Sequence, residues 1–467
     1  MVCYLYKKIA HLPGEECRLM QIQLPWGDDF LSVEVPDTWE IIYPESEKGL
    51  GHEQDPDKDE LELVSESLKN PLQLQPLSSF DLKGKKIVIV VDDNTRPTPA
   101  YRYFHLLLDE LEKGGADLKE VVLIPALGIH TPLTEDEMAE KVGAENLQRV
   151  YWENHNAFDS NSNSYFGKTR RGTPVYLNKH LAEADLIISI GMVEPHLWAG
   201  FGGGLKNLLP GVAATETIGE HHAIIAEPPY KFNRVGMEAE ENSFRQDLEE
   251  IRDMIEAYIF CINVILNPSQ KVIASFAGDA IACHREAVEF NKKVAGKYLE
   301  KRVDAIIVNS YPMDINFKQS MKGVGNSLPA LKPGGTVIAF LKAERGLDDI
   351  VPPEGSKPQW LLKRILRLLG PSRILGFLDR VRKGLNVEER FLMYYSLQLM
   401  REYELFCYVP TLTPDEAKKM GYFMHSSDPQ ENVNKAVKKI PRKARVAVFP
   451  EAGATFPIVK EDKGMKD

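Results

Sequence analysis

Cysteine is scarce and dispersed in this chain: Cys3, Cys17, Cys261, Cys283 and Cys407 are the only five in 467 residues, and no two have Cys-x-x-Cys spacing. An odd, scattered set fits neither a disulfide scaffold nor a zinc ribbon, and a reducing cytoplasm is the default compartment. Also missing is any uninterrupted apolar stretch of the roughly 18 residues that a membrane-crossing helix needs. Residues 1–13 carry lysines where a signal peptide would have its apolar core. Neither export nor a membrane span is expected. A basic excess is absent as well, since 57 Lys+Arg face 68 Asp+Glu for a net charge of -11. Gripping nucleic acid through counterion release requires a positive field, so that partner is disfavoured and a small molecule favoured. Repeats and low-complexity tracts are lacking too.

What remains is ordinary globular composition, 43% apolar and 27% charged, in a chain long enough for two or three domains. Beyond a polar region around residues 44–70, apolar β-branched runs alternate with helical patterns, the rhythm of βα units. Strands are expected at Lys86–Val91, Glu120–Pro125, Leu186–Gly191, Lys271–Phe276, Asp304–Asn309, Thr336–Phe340, Glu404–Val409 and Arg445–Phe449. A helix opens at Thr98-Pro99 and stops at Gly114-Gly115, and Thr134 with Glu137 makes a capping box for another. Ala287–Arg302 reads as a helical bridge between two βα series. The fold class is therefore α/β: two βα-rich domains with mostly parallel sheets and an interdomain active-site cleft. The expected division is 20–285 for an N-terminal catalytic and cofactor-binding domain and 286–445 for a C-terminal α/β domain. Residues 446–467 form a segment that returns to either half. Met20 opens a strand-like MQIQLPWGDD, so residues 1–19 are either native or an upstream extension. Leu361–Gly384, rich in Arg, Lys, Leu and Ile, reads as two solvated amphipathic helices, with a membrane-surface or partner helix as the sharper alternative.

In open α/β sheets, ligands bind beyond the carboxyl ends of the strands. Four polar clusters stand there. VVDDNTRPTP places Asp92, Asp93, Asn94, Thr95 and Arg96 directly after an apolar run, and a guanidinium there suits a carboxylate or phosphate; the plain alternative is a capped turn. ALGIHTPL places His130 in a loop after the next strand. IGMVEPHLWAGFGGGLKN brings His196, the consecutive Gly202, Gly203 and Gly204, and Lys206. Such glycines let backbone N–H groups approach an anion. The phosphate-loop pattern is not matched, because Leu205 precedes Lys206 and Asn207 follows it; a lysine so placed can instead attach a carbonyl-bearing cofactor covalently. The fourth cluster is His221-His222.

In order and spacing these residues resemble the nickel-pincer-nucleotide-dependent lactate racemase family and its 2-hydroxyacid racemase and epimerase relatives, from about Leu24 onward. Asp93 and Arg96 match D-x-x-R, and His130 falls in the G-x-H loop. His196 and Lys206 match P-H-x(3)-G-F-x-G-G-x-K, and His222 lies sixteen residues past the lysine. Tyr311, Asp314, Gln319 and Lys322 match Y-P-x-D…Q-x-x-K. The resemblance implies a pyridinium-3-thioamide-5-thiocarboxylic acid mononucleotide carrying nickel, joined covalently to Lys206, with His222 as the protein's metal ligand. It implies that Asp93, Thr95 and Gly202 to Gly204 serve cofactor binding, with Asp93 touching the nucleotide or orienting Arg96. Separate cofactor maturation enzymes would be partners. His221 is the competing ligand, and adjacent side chains point apart.

The residue types suit the chemistry. The proton beside an ionised carboxylate is hard to abstract, so inversion by redox is easier: a base takes the hydroxyl proton while hydride leaves and later returns to the other face. His130 and His196 are the expected bases for opposite enantiomers, and Arg96, Lys322 and Gln319 are expected to hold the carboxylate. Thr131, Lys318 and Trp198 depart from lactate-specific relatives, which leaves malate, an aromatic hydroxyacid or a sugar acid open beside lactate. His155 either contacts ligand or supports structure. The rival readings are a histidine zinc hydrolase or lyase using His130, His196 and His222, a non-catalytic cofactor-binding protein, and a purely structural or interaction protein.

Overall fold

The computed structural model describes residues 19–46, 58–226 and 235–460, except for 268, 349, 351, 353–358, 371–372, 375–376 and 378–386. Within these the chain forms two units, one from 58–226 and 237–294, the other from 19–46, 235–236 and 295–460.

In the first unit, six strands lie in the order Val272–Asp279, Tyr258–Leu266, Leu186–Met192, Ile87–Asp92, Val122–Ala126 and Tyr151–Trp152. Only the first pair is antiparallel. Ile87–Asp92 is buried at all six positions, as a strand covered on both faces requires. The helix Ala100–Lys113 follows it and turns Tyr103, Phe104, Leu107, Leu108 and Leu111 onto the sheet, each burial being worth about 1.5–3 kcal/mol. Gly114 ends that helix, and the Thr134–Glu137 capping box starts Glu135–Val142, both where the sequence placed them. Tyr258–Leu266 was not foreseen. It is buried on both faces, so its run has no alternation to separate a strand from a buried helix.

The second unit has six parallel strands in the order Met424–Ser426, Glu404–Tyr408, Leu331–Phe340, Val303–Asn309, Arg445–Phe449 and Glu40–Ile42. The hairpin Leu19–Trp26/Asp29–Pro36 turns at Gly27, whose φ is +66°. Its alternating Ile22, Leu24, Val33 and Val35 pack onto Ile307, Ile338 and Phe340 of this sheet.

The observed division therefore departs from 20–285 and 286–445. The first strands join the C-terminal sheet because Glu40–Ile42 pairs with Arg445–Phe449. The bridging helix runs earlier, Ala280–Ala295, and gives way to the strand Gly296–Leu299. Phe456–Val459 pairs with that strand, so residues 446–460 stay in the second unit. Of the two helices foreseen in Leu361–Gly384, the first is Gln359–Leu369. Much of the second, like residues 1–18 of the expected extension, lies outside the described residues. Among the described residues no helix is long and apolar enough to cross a membrane.

Candidate active site

Four parallel neighbours, Val122–Ala126, Ile87–Asp92, Leu186–Met192 and Tyr258–Leu266, end on the same edge of the first unit's sheet. The loops bearing His130, Asp93 to Arg96, and His196 to Lys206 leave from the first three of these ends.

The Asp93–Arg96 loop is held from below. Lys141, brought there by its capped helix, pairs with buried Asp92 at 2.7 Å and donates to the carbonyls of Asp93 at 3.2 Å and Arg96 at 3.0 Å. Burial raises the Asp92 carboxyl, and Lys141 and Thr98 offset part of that rise. Asp93 Oδ2 lies 2.6 Å from His130 Nδ1, and its Oδ1 accepts from Thr95 Oγ1 at 2.6 Å and Thr95 N at 3.2 Å. Burial would raise this carboxyl, but the His130 and Thr95 hydrogen bonds outweigh it and hold Asp93 below the usual range. Both Asp93 oxygens thus have protein partners, and its charge also acts on Arg96. Arg96 is oriented by Glu194, its Nε 2.9 Å from Oε1. Burial opposes the charge of Arg96, and Glu194, Asp93 and Asp92 restore it.

His196 sits in a two-residue strand, Pro195–His196, paired with Gly200–Phe201. Its Nδ1 accepts the backbone N–H of Trp198 and of Ala199, each at 3.3 Å. The Trp198 ring meets both His196 and His222 edge-on, with centroids 5.8 and 5.3 Å away.

Two of the three backbone donors in the glycine run are already engaged. Gly202 N–H donates to Glu194 O at 2.7 Å and Gly204 N–H to Asn263 Oδ1 at 2.9 Å, so these two donors are satisfied within the protein. Gly203 has φ +72°, and a Cβ there would lie 2.8 Å from Met192 O and 2.7 Å from Val193 Cγ2. The carbonyls on the other side of the run face buried Arg245, which donates to those of Ala199, Phe201, Gly202 and Gly203. Burial pulls that guanidinium down to about 10. His284 Nε2 approaches Gly202 O at 2.9 Å. The turn Gly204–Asn207 then presents half-buried Lys206.

His221 and His222 lie on the helix Thr215–Ala223, with rings nearly perpendicular at 85°. His222 Nδ1 donates to Ile218 O at 2.8 Å, leaving Nε2 as its coordinating atom. Burial, then the neighbouring His221 and Lys206, push this imidazole down to about 3, which keeps it in the neutral form a metal requires. His221 is fully buried, its Nδ1 2.8 Å from Asp247 Oδ2, and its Nε2 has no hydrogen-bond partner. Asp247 also accepts from Thr169 at 2.6 Å and Thr173 at 2.9 Å. His155 is buried, bonded to Ala213 O at 3.0 Å and facing Asn178 at 3.3 Å, which is a structural arrangement.

Gln319 and Lys322, both half-buried, occupy the helix Phe317–Ser327 of the second unit, after the carboxyl end of Val303–Asn309. They are not among the residues that the first unit's strands gather. Sequence reasoning missed Glu194, Arg245, Asp247, Asn263 and His284. The one available signal was the polar Asn263 inside an apolar run. Among the described residues no three or more His, Cys, Asp or Glu side chains form a group that could hold a metal ion.

The family model for the lactate racemase N-terminal domain matches residues 26–232. The chain is 32% identical over 336 residues to a lactate racemase of Thermoanaerobacterium thermosaccharolyticum, covering 70% of this chain and 76% of that one. It is 33% identical over 290 residues to a lactate racemase of Lactiplantibacillus plantarum, 62% of this chain and 67% of the relative. The structure resembles the lactate racemase apoprotein from Thermoanaerobacterium thermosaccharolyticum with a TM-score of 0.77 at 25% identity, covering 94% of this chain and 100% of that one. A Thermotoga maritima protein shares the fold alone, with a TM-score of 0.61 at 20% identity, over 87% of this chain and 99% of the other. The strand-end loops, the glycine turn with its lysine and the sequence likeness agree: this chain belongs to the lactate racemase family and is an isomerase of the racemase class.

Proposed function

We propose that the protein inverts the C2 centre of a 2-hydroxyacid, using His130 and His196 as proton-transfer groups and a nickel-pincer nucleotide tethered to Lys206. The observation that carries this reading is the joining of three loops at adjacent strand ends by two short pairs, Asp93–His130 at 2.6 Å and Arg96–Glu194 at 2.9 Å. They hold an imidazole and a guanidinium on one sheet edge, the groups that a hydroxyl and a carboxylate on neighbouring carbons call for.

The residues present fit such a cofactor. Lys206 follows a turn that only glycine can make, His222 offers a neutral imidazole with Nδ1 already committed, and the buried Nε2 of His221 lacks a partner. Lys206 would be the attachment point and His222 the metal ligand, favoured over His221 by spacing and by its half-buried position. When bound, the cofactor would supply a reversible acceptor for the C2 hydride. The chain itself holds the carboxylate through Arg96, takes the hydroxyl proton at one histidine and returns a proton from the other. Trp198 stands beside both His196 and His222, so it bears on how large a 2-hydroxyacid is accepted, lactate or a bulkier one.

The test is mass spectrometry of the Lys206 peptide with metal analysis, on protein coexpressed with the cofactor-making enzymes. A nucleotide adduct with nickel is expected. Unmodified lysine with stoichiometric zinc would overturn the reading.

A further inference from the structure

We propose that the two histidines are inequivalent before substrate arrives: Asp93 is a positioning residue that leaves His130 Nε2 the resting proton acceptor, while the Trp198–Ala199 backbone leaves His196 Nε2 a resting hydrogen-bond donor that is not ready to take a proton. The mechanistic consequence rests on the function proposed above. The tautomer assignment does not.

The argument starts from the two Nδ1 atoms. Asp93 is buried, and both of its oxygens accept hydrogen bonds, Oδ1 from Thr95 and Oδ2 toward His130 at 2.6 Å. An ionised carboxylate has no proton to give, so the proton on that line belongs to His130 Nδ1. Neutral His130 therefore carries its lone pair on Nε2, on a ring whose side chain is 55% exposed. At His196 the polarity is reversed. Two backbone N–H groups point at Nδ1, and a backbone N–H can only donate. Neutral His196 therefore carries its proton on Nε2.

A substrate hydroxyl that meets His130 finds an acceptor at once. A hydroxyl that meets His196 finds a hydrogen-bond donor, and before His196 can take its proton the ring must carry its own proton on Nδ1 instead of Nε2, which breaks both backbone hydrogen bonds. The resting protein is thus matched to one enantiomer. Because the two enantiomers are equal in free energy, kcat/KM must be the same in both directions, so the asymmetry has to be read in half-reactions.

Two measurements test this. In the cofactor-free protein, ¹⁵N-resolved imidazole NMR at neutral pH is expected to show the Nδ1–H tautomer for His130 and the Nε2–H tautomer for His196. Asp93→Asn is expected to move His130 toward Nε2–H and leave His196 unchanged. A His130 spectrum that is Nε2–H in the parent protein, or that the substitution does not alter, overturns the proposal. In the loaded enzyme, Asp93→Asn is expected to keep adduct and nickel, to change KM little and to lower kcat by about 10²–10⁴-fold, with Asp93→Glu partly restoring it. In single turnovers the parent should form 2-oxoacid faster from the enantiomer whose hydroxyl meets His130 than from its mirror image, and Asp93→Asn should slow the first and leave the second unchanged. Equal slowing from both would mean that Asp93 is merely structural. A parent protein that never loads nickel would sink the cofactor reading while leaving the NMR result to decide this one.

Discussion

The Nε of Arg96 lies 2.9 Å from Oε1 of Glu194, and this pair ties the loop after Ile87–Asp92 to the segment that leads into His196. Both side chains are largely buried, 23% and 11% exposed, so the pair is shielded from water as a surface ion pair is not. Glu194 also accepts the Gly202 N–H through its carbonyl at 2.7 Å, so one residue aims the guanidinium and anchors the glycine turn. Replacing it with glutamine keeps the shape and removes the charge. Glu194→Gln is expected to raise KM for the hydroxyacid by about 10-fold with a smaller effect on kcat, the signature of lost carboxylate positioning. Steady-state kinetics in both directions would check it. A fall in kcat alone would contradict it.

Gly203 predicts a steric outcome. With φ at +72° and Met192 O, Val193 Cγ2 and Asn263 Oδ1 all within 2.9 Å of a built Cβ, alanine must displace backbone. Gly203→Ala is expected to cost about 2 kcal/mol or more in urea unfolding and to reduce the Lys206 adduct. Gly334→Ala, also at positive φ but with open space around it, is expected to cost less.

The adjacent histidines should separate cleanly. His222→Ala is expected to lower nickel content by at least about 10-fold while leaving the nucleotide on Lys206. His221→Ala removes a ring packed 4.0 Å from Phe244 and a donor to Asp247, so its first effect is expected in the unfolding midpoint, about 2–4 kcal/mol. Metal analysis, adduct mass and unfolding curves on both variants would show it. Nickel retained in His222→Ala would reassign the ligand.

Stability should fall on mild acidification. Burial holds His155 and His284 below their ordinary value of 6.5, against the carbonyl bonds that each makes. Above about pH 6.5 both are neutral folded or unfolded, and their contribution is full. As pH drops below that value the unfolded chain takes up protons that the folded chain refuses until its lower pKa is reached. Each histidine then subtracts up to about 1.4 kcal/mol per pH unit. Melting temperature between pH 8 and 5 measures the slope. Replacing His155 by glutamine should reduce it.

Much of this molecule is readable without coordinates. Ile87–Asp92, Leu186–Met192 and Arg445–Phe449 announce themselves as apolar runs because strands covered on both faces must be apolar throughout. The Thr134–Glu137 cap and the Gly114 stop are equally legible, because capping is a transaction between residues within one turn. His130, Arg96, His196, Lys206 and His222 could be picked out because each stands just past a strand or in a short motif. Three relationships were hidden. Asp93 pairs with His130, Arg96 pairs with Glu194, and buried Arg245 gathers the carbonyls of the glycine run. Each joins segments that are remote along the chain, and so does the entry of Glu40–Ile42 into the C-terminal sheet. Residue type sets what a side chain can donate or accept, and local order sets helices and strands. Which donor meets which acceptor depends on strand order and loop paths that many distant contacts decide together, so the tautomers of His130 and His196 are a property of the folded protein alone.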